Sequence, residues 1–184
     1  MTDHASDRLG AVLRDRDRWA LRYERDLRHS PERVWTALTS SEDLRSWFPC
    51  DLVGERRAGA VLRLPFWAEH IELYEEKYEI AAPELTGTIR VWDPVSTFEW
   101  SWDVDVLRFE LSPTPGGTHL VFTTWLALLG DEPLDGPVAD TGAGYHVCLD
   151  ELEAVLDTGK SGPIDDAPAA RLLPLYAAMI ERQL

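Results

Sequence analysis

The residues that could perform chemistry are few and lie far apart in the sequence. His70 follows Glu69, and a histidine beside an acid can act as a general base. None of the five histidines has the spacing of a metal-binding motif, however, and the acids from 69 to 79 lack the spacing of a calcium loop. We therefore expect surface or structural roles for these groups, and no metal ligand.

Other catalytic signatures are also missing from the sequence. It contains no G-x-S-x-G, Walker, G-x-G-x-x-G or C-x-x-C motif, which leaves serine-hydrolase, nucleotide-binding and dithiol chemistry without support. Cys50 and Cys148 are the only cysteines, and we expect both to be thiols. Cys148 falls on an apolar helical stripe, where it would pack as a small hydrophobe. We predict no catalytic residue and no cofactor.

Large apolar side chains give a stronger signal, because the chain holds eight tryptophans. Apolar ligand pockets are built from such side chains with a few polar groups among them. A plain hydrophobic core would use the same residues, so both interpretations stay open. The candidate pocket walls are Trp47, Phe48, Phe66, Trp100, Trp102, Phe109, Phe122, Tyr145 and Leu149.

Three polar residues share the inward parity of their predicted strands. They are Tyr23, Arg25 and Thr124, and they could fix a carboxylate or carbonyl group of a ligand. A buried arginine is costly unless it is paired, so Arg25 could instead reach solvent at the end of its strand. His119 and His146 fall on outward or polar faces, and neither is expected in a pocket.

Composition excludes several kinds of partner. The 18 basic and 33 acidic residues give a net charge of −15, which disfavours nucleic acid as a ligand. The apolar runs fall far short of the roughly 18 residues that span a bilayer. The first residues are charged where a signal peptide would be apolar. We expect a cytoplasmic protein with no membrane span.

The first half of the chain predicts a strand followed by two short helices. Residues 1–18 are charged and are expected to form a mobile arm, in which Leu9, Val12 and Leu13 could make one helical turn. Alternation predicts a strand over 19–27. Ser30, Pro31 and Glu32 are typical of a helix start, and Leu44, Trp47 and Phe48 indicate the apolar side of a second short helix.

An antiparallel meander and a long helix are predicted next. Strand patterns occur at 61–64, 85–91, 98–102, 107–111 and 120–124, with turns near 103–105 and 113–117. Residues 66–82 fit neither template cleanly, although Ile71, Tyr74 and Tyr78 have helical spacing, and they are interpreted as an insertion. A helical stripe over 145–156 ends at Gly159, and 160–184 predicts a linker and a terminal helix.

Four stretches together resemble one known family. They are HSPERVWTALTSSEDLRSWFP, GTIRVWDPVSTFEW, LRFELSPTPGGTHLVFTTW and GAGYHVCLDELEAVL. They resemble the activator-of-Hsp90-ATPase-like branch of the START-like (SRPBCC, Bet v 1-type) superfamily. The resemblance implies an α+β helix-grip domain over 19–159, in which a curved antiparallel sheet holds the long helix and encloses a mostly apolar cavity.

Three functions are compatible with this resemblance, because a fold alone does not choose a function. The first is a binding module that holds a hydrophobic small molecule between the sheet and the long helix. The second is a cyclase or aromatase that uses the same cavity, with Arg25 or Tyr145 guiding proton transfer. The third is a co-chaperone that acts on Hsp90 through its protein surface, so a protein partner is also possible.

Overall fold

The protein is built on one antiparallel sheet. The computed structural model describes residues 8–15, 18–78, 81, 85–127 and 135–182. Its strands are β1 (Ala11–Asp15), β2 (Arg18–Leu27), β3 (Val61–Leu64), β4 (Leu85–Asp93), β5 (Thr97–Trp102), β6 (Asp105–Thr114) and β7 (Gly117–Leu126). They lie in the order β1-β2-β7-β6-β5-β4-β3, and each neighbouring pair is antiparallel. The predicted meander is confirmed.

The helices follow local capping signals. They are α1 (Pro31–Thr39), α2 (Ser41–Leu44), α3 (Ala68–Tyr78), α4 (Asp135–Thr158) and α5 (Ala167–Glu181). Ser30 caps α1 by accepting from the Arg33 amide, and Ser40 caps α2 by accepting from the Asp43 amide. The predicted second short helix ends at Leu44, so Trp47 and Phe48 lie beyond it, and the Trp47 indole donates to the Ala37 carbonyl at 2.9 Å.

A row of aromatic side chains crosses the sheet and faces α4. Phe98 pairs with Phe109, Phe109 with Phe122, and Phe122 with Tyr23. The Phe109 and Phe122 rings stack at 4.5 Å, and the Tyr145 ring of α4 meets Phe122 edge-on at 5.0 Å. The curved sheet therefore holds α4, and the predicted helix-grip fold is confirmed.

The N-terminal segment differs from its prediction. Residues 11–15 form an edge strand paired to β2, so the helical turn predicted at Leu9, Val12 and Leu13 is wrong. The pairing gives these backbone groups partners, and Val12 is 1% exposed. The local sequence pattern does not predict this strand, because the strand forms by pairing with β2. The domain boundaries predicted at residues 18 and 159 stay predictions.

The terminal helix α5 packs on α4 through Tyr176. Adding a Cβ at Gly142 would place it 2.7 Å from the Tyr176 ring, so the glycine allows a close approach of the two helices. The Tyr176 hydroxyl accepts from the Gly10 amide at 3.0 Å and lies 3.1 Å from Nδ1 of His146. One buried phenol thus connects the N-terminal segment, α4 and α5.

The insertion predicted over 66–82 contains the helix α3. Its amino end is fixed to the chain after α2, since the Trp67 amide donates to the Pro49 carbonyl at 3.1 Å and the Trp67 indole donates to the Phe48 carbonyl at 2.9 Å. Residues 79–80 and 82–84 lie outside the described residues. In the part of the chain that is described, no helix has the length and apolar character to cross a membrane.

Candidate functional site

A cavity of about 380 Å³ lies between α3 and α4. Its walls come from four parts of the chain: residues 45–49 after α2, one face of α3, one face of α4, and the segment 161–169 that leads into α5. Trp102, at the end of β5, completes the lining. The cavity therefore lies on the side of α4 that faces the insertion, and α3 of the insertion forms one of its walls.

The α3 wall is one helical face. Its lining residues are His70, Leu73, Tyr74 and Lys77, which are spaced at i, i+3, i+4 and i+7, and Phe66, just before the helix, lines the same side of the cavity. This spacing places side chains on the same side of a helix. Ring contacts join Phe66 to Tyr74 at 5.7 Å and to Trp102 at 6.0 Å. The insertion therefore presents an apolar stripe, with His70 near its middle, to the cavity.

The α4 wall has the same periodicity. Thr141, Gly144, Tyr145, Cys148 and Glu151 all line the cavity. A Cβ built on Gly144 meets no atom within 4 Å, so open space lies in front of this glycine. A larger residue at this point of the helix would extend into the cavity.

Charged groups at the rim are paired with one another. Lys77 of α3 bridges to Asp140 of α4 at 2.7 Å and to Asp166, which precedes α5, at 3.3 Å. Arg45, which also lines the cavity, pairs with Glu69 at 3.3 Å. Apart from these ion-paired residues, Glu151 and Asp165, the lining consists of aromatic, aliphatic and neutral polar residues and His70.

Burial disfavours the charged forms of three titratable side chains that line the cavity. Burial lowers the pKa of the His70 imidazole below its ordinary value, even though the neighbouring Glu69 opposes the shift. Burial raises the pKa of the Cys148 thiol to about 12 and raises the pKa of the Tyr145 hydroxyl well above its ordinary value. A charged ligand would find little to balance its charge here.

The predicted wall residues divide into two groups. Trp47, Phe66, Trp102 and Tyr145 line the cavity. The other aromatic candidates and Leu149 lie in the core around the sheet, and the structure does not place them on the cavity surface: Phe48, Trp100, Phe109, Phe122 and Leu149. Tyr23 and Thr124 are buried on β2 and β7, where the Tyr23 hydroxyl donates to the Gly142 carbonyl at 2.8 Å.

Arg25 is buried and paired, so the alternative that it reaches solvent at the end of its strand is wrong. It is 5% exposed, and its guanidinium lies 3.4 Å from the Asp150 carboxylate of α4. Arg8 also reaches Asp150, at 2.9 Å, and Glu153. Arg25 is not among the residues that line the cavity. The N-terminal segment and α4 cover it, which strand parity alone does not reveal.

His146 also departs from its predicted place on a polar helix face. It is 3% exposed, because α5 covers it, and its Nε2 lies 3.3 Å from Asp150. His70, by contrast, was expected to have a surface or structural role and lies on the cavity wall. Leu73 and Lys77 were missed altogether. Their helical spacing from His70 was the available signal, and the scattered acids obscured it.

A known family matches most of the chain. The sequence profile described as activator of Hsp90 ATPase homolog 1-like protein matches residues 28–157. The chain belongs to this family. The matched range runs from just before α1 almost to the end of α4, and β1, β2 and α5 lie outside it. The predicted resemblance is therefore confirmed, whereas no curated protein matches the sequence.

Solved structures show the same fold over a wider range. A conserved protein of unknown function from Enterococcus faecalis is 20% identical, with a TM-score of 0.71 over 95% of this chain and 92% of its own. CalU16 from Micromonospora echinospora is 16% identical, with a TM-score of 0.64 over 93% and 95%. The Aha1 dimer from Colwellia psychrerythraea is 19% identical, with a TM-score of 0.58 over 77% and 98%. Identities this low support the fold alone.

Proposed function

We propose that the protein binds a small apolar molecule in the cavity between α3 and α4. The observation that carries this proposal is a cavity of about 380 Å³ whose two helical walls face each other with aromatic, aliphatic and neutral polar side chains. This volume lies at the small end of the roughly 300–1,000 Å³ typical of ligand pockets. A compact ring system fits these dimensions better than a long lipid.

The proposed site differs from the one expected between sheet and helix. There, Phe122 already contacts Phe109 and Tyr145, and Leu149 is 1% exposed. Open space instead lies in front of Gly144, on the side of α4 that faces the insertion. Two features therefore support a binding site on the α3 side of α4 instead of the sheet side: the packed rings on the sheet side, and the glycine that faces the cavity.

Two glycine substitutions on α4 test the proposal. Neither Gly136 nor Gly144 has an atom within 4 Å of its built Cβ, but only Gly144 lines the cavity. Gly144→Leu should fill the cavity, whereas Gly136→Leu adds the same side chain to an exposed part of the helix. Replacing a helical glycine favours the helix by up to about 1 kcal/mol, so both variants are expected to fold.

Naphthalene is the probe, and isothermal titration together with the shift in melting temperature is the measurement. We expect saturable binding by the wild type and by Gly136→Leu, and loss of binding in Gly144→Leu. No binding by the wild type, or equal binding by Gly144→Leu, would contradict the proposal. Native mass spectrometry of freshly purified protein beside a denatured control would then identify any cellular molecule that the cavity retains.

Family membership makes a protein-binding role the second candidate. The family description names activation of the Hsp90 ATPase. If this chain acts in that way, it should change the ATPase rate of Hsp90 with no small molecule present, and Gly144→Leu should act as the wild type does. An effect abolished by Gly144→Leu would instead connect the two candidates through the cavity.

A further inference from the structure

His70 occupies a distinctive position on the cavity wall. It lies in the first turn of α3, one turn before Tyr74, within the face of the helix that lines the cavity together with Phe66. Among the residues that the structure describes, none forms a hydrogen bond with its ring nitrogens. A polar group in this setting is favourable only when water or a ligand satisfies it.

The charged residues around the cavity, unlike His70, are already engaged. Lys77 holds Asp140 and Asp166, and Arg45 holds Glu69. The two remaining acidic residues of the lining accept hydrogen bonds from backbone amides in or just after the segment that leads into α5. Glu151 accepts from the Gly162 amide at 2.7 Å, and Asp165 accepts from the Ala167 amide at 2.8 Å. A ligand carrying its own charge would have to displace one of these partners.

Resting on the proposed function, we propose that His70 makes the cavity selective for an uncharged ring compound that carries a hydroxyl group. A neutral imidazole has one donor and one acceptor nitrogen, and a hydroxyl can pair with either of them. The hydroxyl therefore suits both tautomers. The aromatic neighbours of His70 contact the ring of the ligand, while the imidazole fixes its orientation.

Alternative ligand chemistries are less favourable for physical reasons. A carboxylate buried beside His70 would lose hydration without gaining a free cation, because Arg45 and Lys77 are paired. A plain hydrocarbon would leave the imidazole without a partner, which weakens binding by the value of one neutral hydrogen bond. The order of affinity expected is alcohol or phenol, then hydrocarbon, then carboxylate.

Three probes with the same ring system test this order: 2-naphthol, naphthalene and 2-naphthoate. In the wild type, 2-naphthol should bind about 3- to 10-fold more tightly than naphthalene, as one net hydrogen bond implies. We expect 2-naphthoate to bind most weakly. Isothermal titration at pH 7.5 gives the three dissociation constants.

His70→Phe removes the hydrogen bond and keeps a ring on α3. This variant should retain naphthalene binding and lose the preference for 2-naphthol. The matched control is His119→Phe, because His119 lies on β7, bonds to Asp26 at 2.8 Å and does not line the cavity. It should keep the preference. His70→Leu repeats the test with a smaller side chain, in case the added ring blocks the cavity.

The possible failures are distinct from one another. Equal affinity of the wild type for 2-naphthol and naphthalene, or a preference that survives in both His70 variants, overturns the role of His70 and leaves the proposed function intact. Tightest binding of 2-naphthoate overturns the selectivity for uncharged ligands. If none of the three probes binds, the proposed function itself fails.

Discussion

Two sides of the same helix have different surroundings. Toward the sheet, α4 contributes Leu149, which is 1% exposed, and Tyr145, whose ring contacts Phe122 at 5.0 Å and also lines the cavity. Toward α3, it contributes Gly144 and Thr141, which border the cavity. The packed core therefore lies on one side of α4 and the cavity on another, and Tyr145 takes part in both. Aromatic residues are abundant on both sides of α4, so their number does not show where a cavity lies. The position of the cavity depends on which element, the sheet or α3, faces that side of α4.

The largest expected effect compares one residue from each side. Phe122→Ala should lower the free energy of unfolding by about 3–5 kcal/mol, because the ring is 1% exposed and packed in the core. Leu73→Ala on α3 should cost less than about 1 kcal/mol, because this side chain already borders open space. Urea unfolding measures both. Equal losses would mean that α3 is part of the core.

A second prediction concerns the half-buried carboxylate of Asp150 on α4. Asp150→Asn removes the carboxylate that faces Arg25 and Arg8. We expect a loss of about 1–3 kcal/mol, less than for a fully buried pair because the Asp150 side chain is 45% exposed. The control is Asp26→Asn, whose carboxylate is 85% exposed beside His119. Similar urea midpoints for the two variants would contradict the prediction.

The pH dependence of stability should follow from the same carboxylate. Partial burial pushes the pKa of Asp150 upward, but the hydrogen bond and charge of His146, with Arg8 and Arg25, outweigh this and hold the pKa below its ordinary value. A depressed folded-state pKa stabilises the protein above the unfolded pKa of about 3.9, and this contribution is lost as pH falls further. Wild-type and Asp150→Asn stabilities should converge below about pH 4, whereas parallel curves would argue against the network.

The smallest effect concerns the rim on the cavity side. Lys77→Gln removes the ion pairs from α3 to Asp140 and Asp166. Because an exposed ion pair is worth about 0.2–1 kcal/mol, we expect naphthalene to dissociate about 1.5- to 5-fold faster, with little change in stability. High salt should speed release from the wild type in the same way. Arg57→Gln, which breaks an exposed pair with Glu55, is the control and should leave the release rate unchanged.

Local sequence signals predicted the fold well where the element is specified by its own residues. Ser30 and Pro31 start α1, Gly159 ends α4 with a φ of +69°, and the turn at 103–104 separates β5 from β6. Alternating apolar residues likewise predicted the meander and its inward face. These signals need no knowledge of distant contacts.

The site was less predictable because it depends on contacts between distant segments. Residues 11–15 become a strand only beside β2, and Arg25 and His146 become buried only when the N-terminal segment and α5 cover them. The cavity exists because α3 lies opposite Gly144, a pairing that no local pattern shows. Four of the predicted wall residues line it, and their roles in binding stay predictions.

The bonds of Tyr176 make the two ends of the chain interdependent. Its hydroxyl accepts from the Gly10 amide and meets His146, while Gly142 leaves room for its ring. Both segments lie outside residues 28–157, the range that matches the family. A relative that loses α5 would leave the Gly10 amide without this acceptor, so the two segments should be gained and lost together during evolution. The presence of one in a homologue then forecasts the presence of the other.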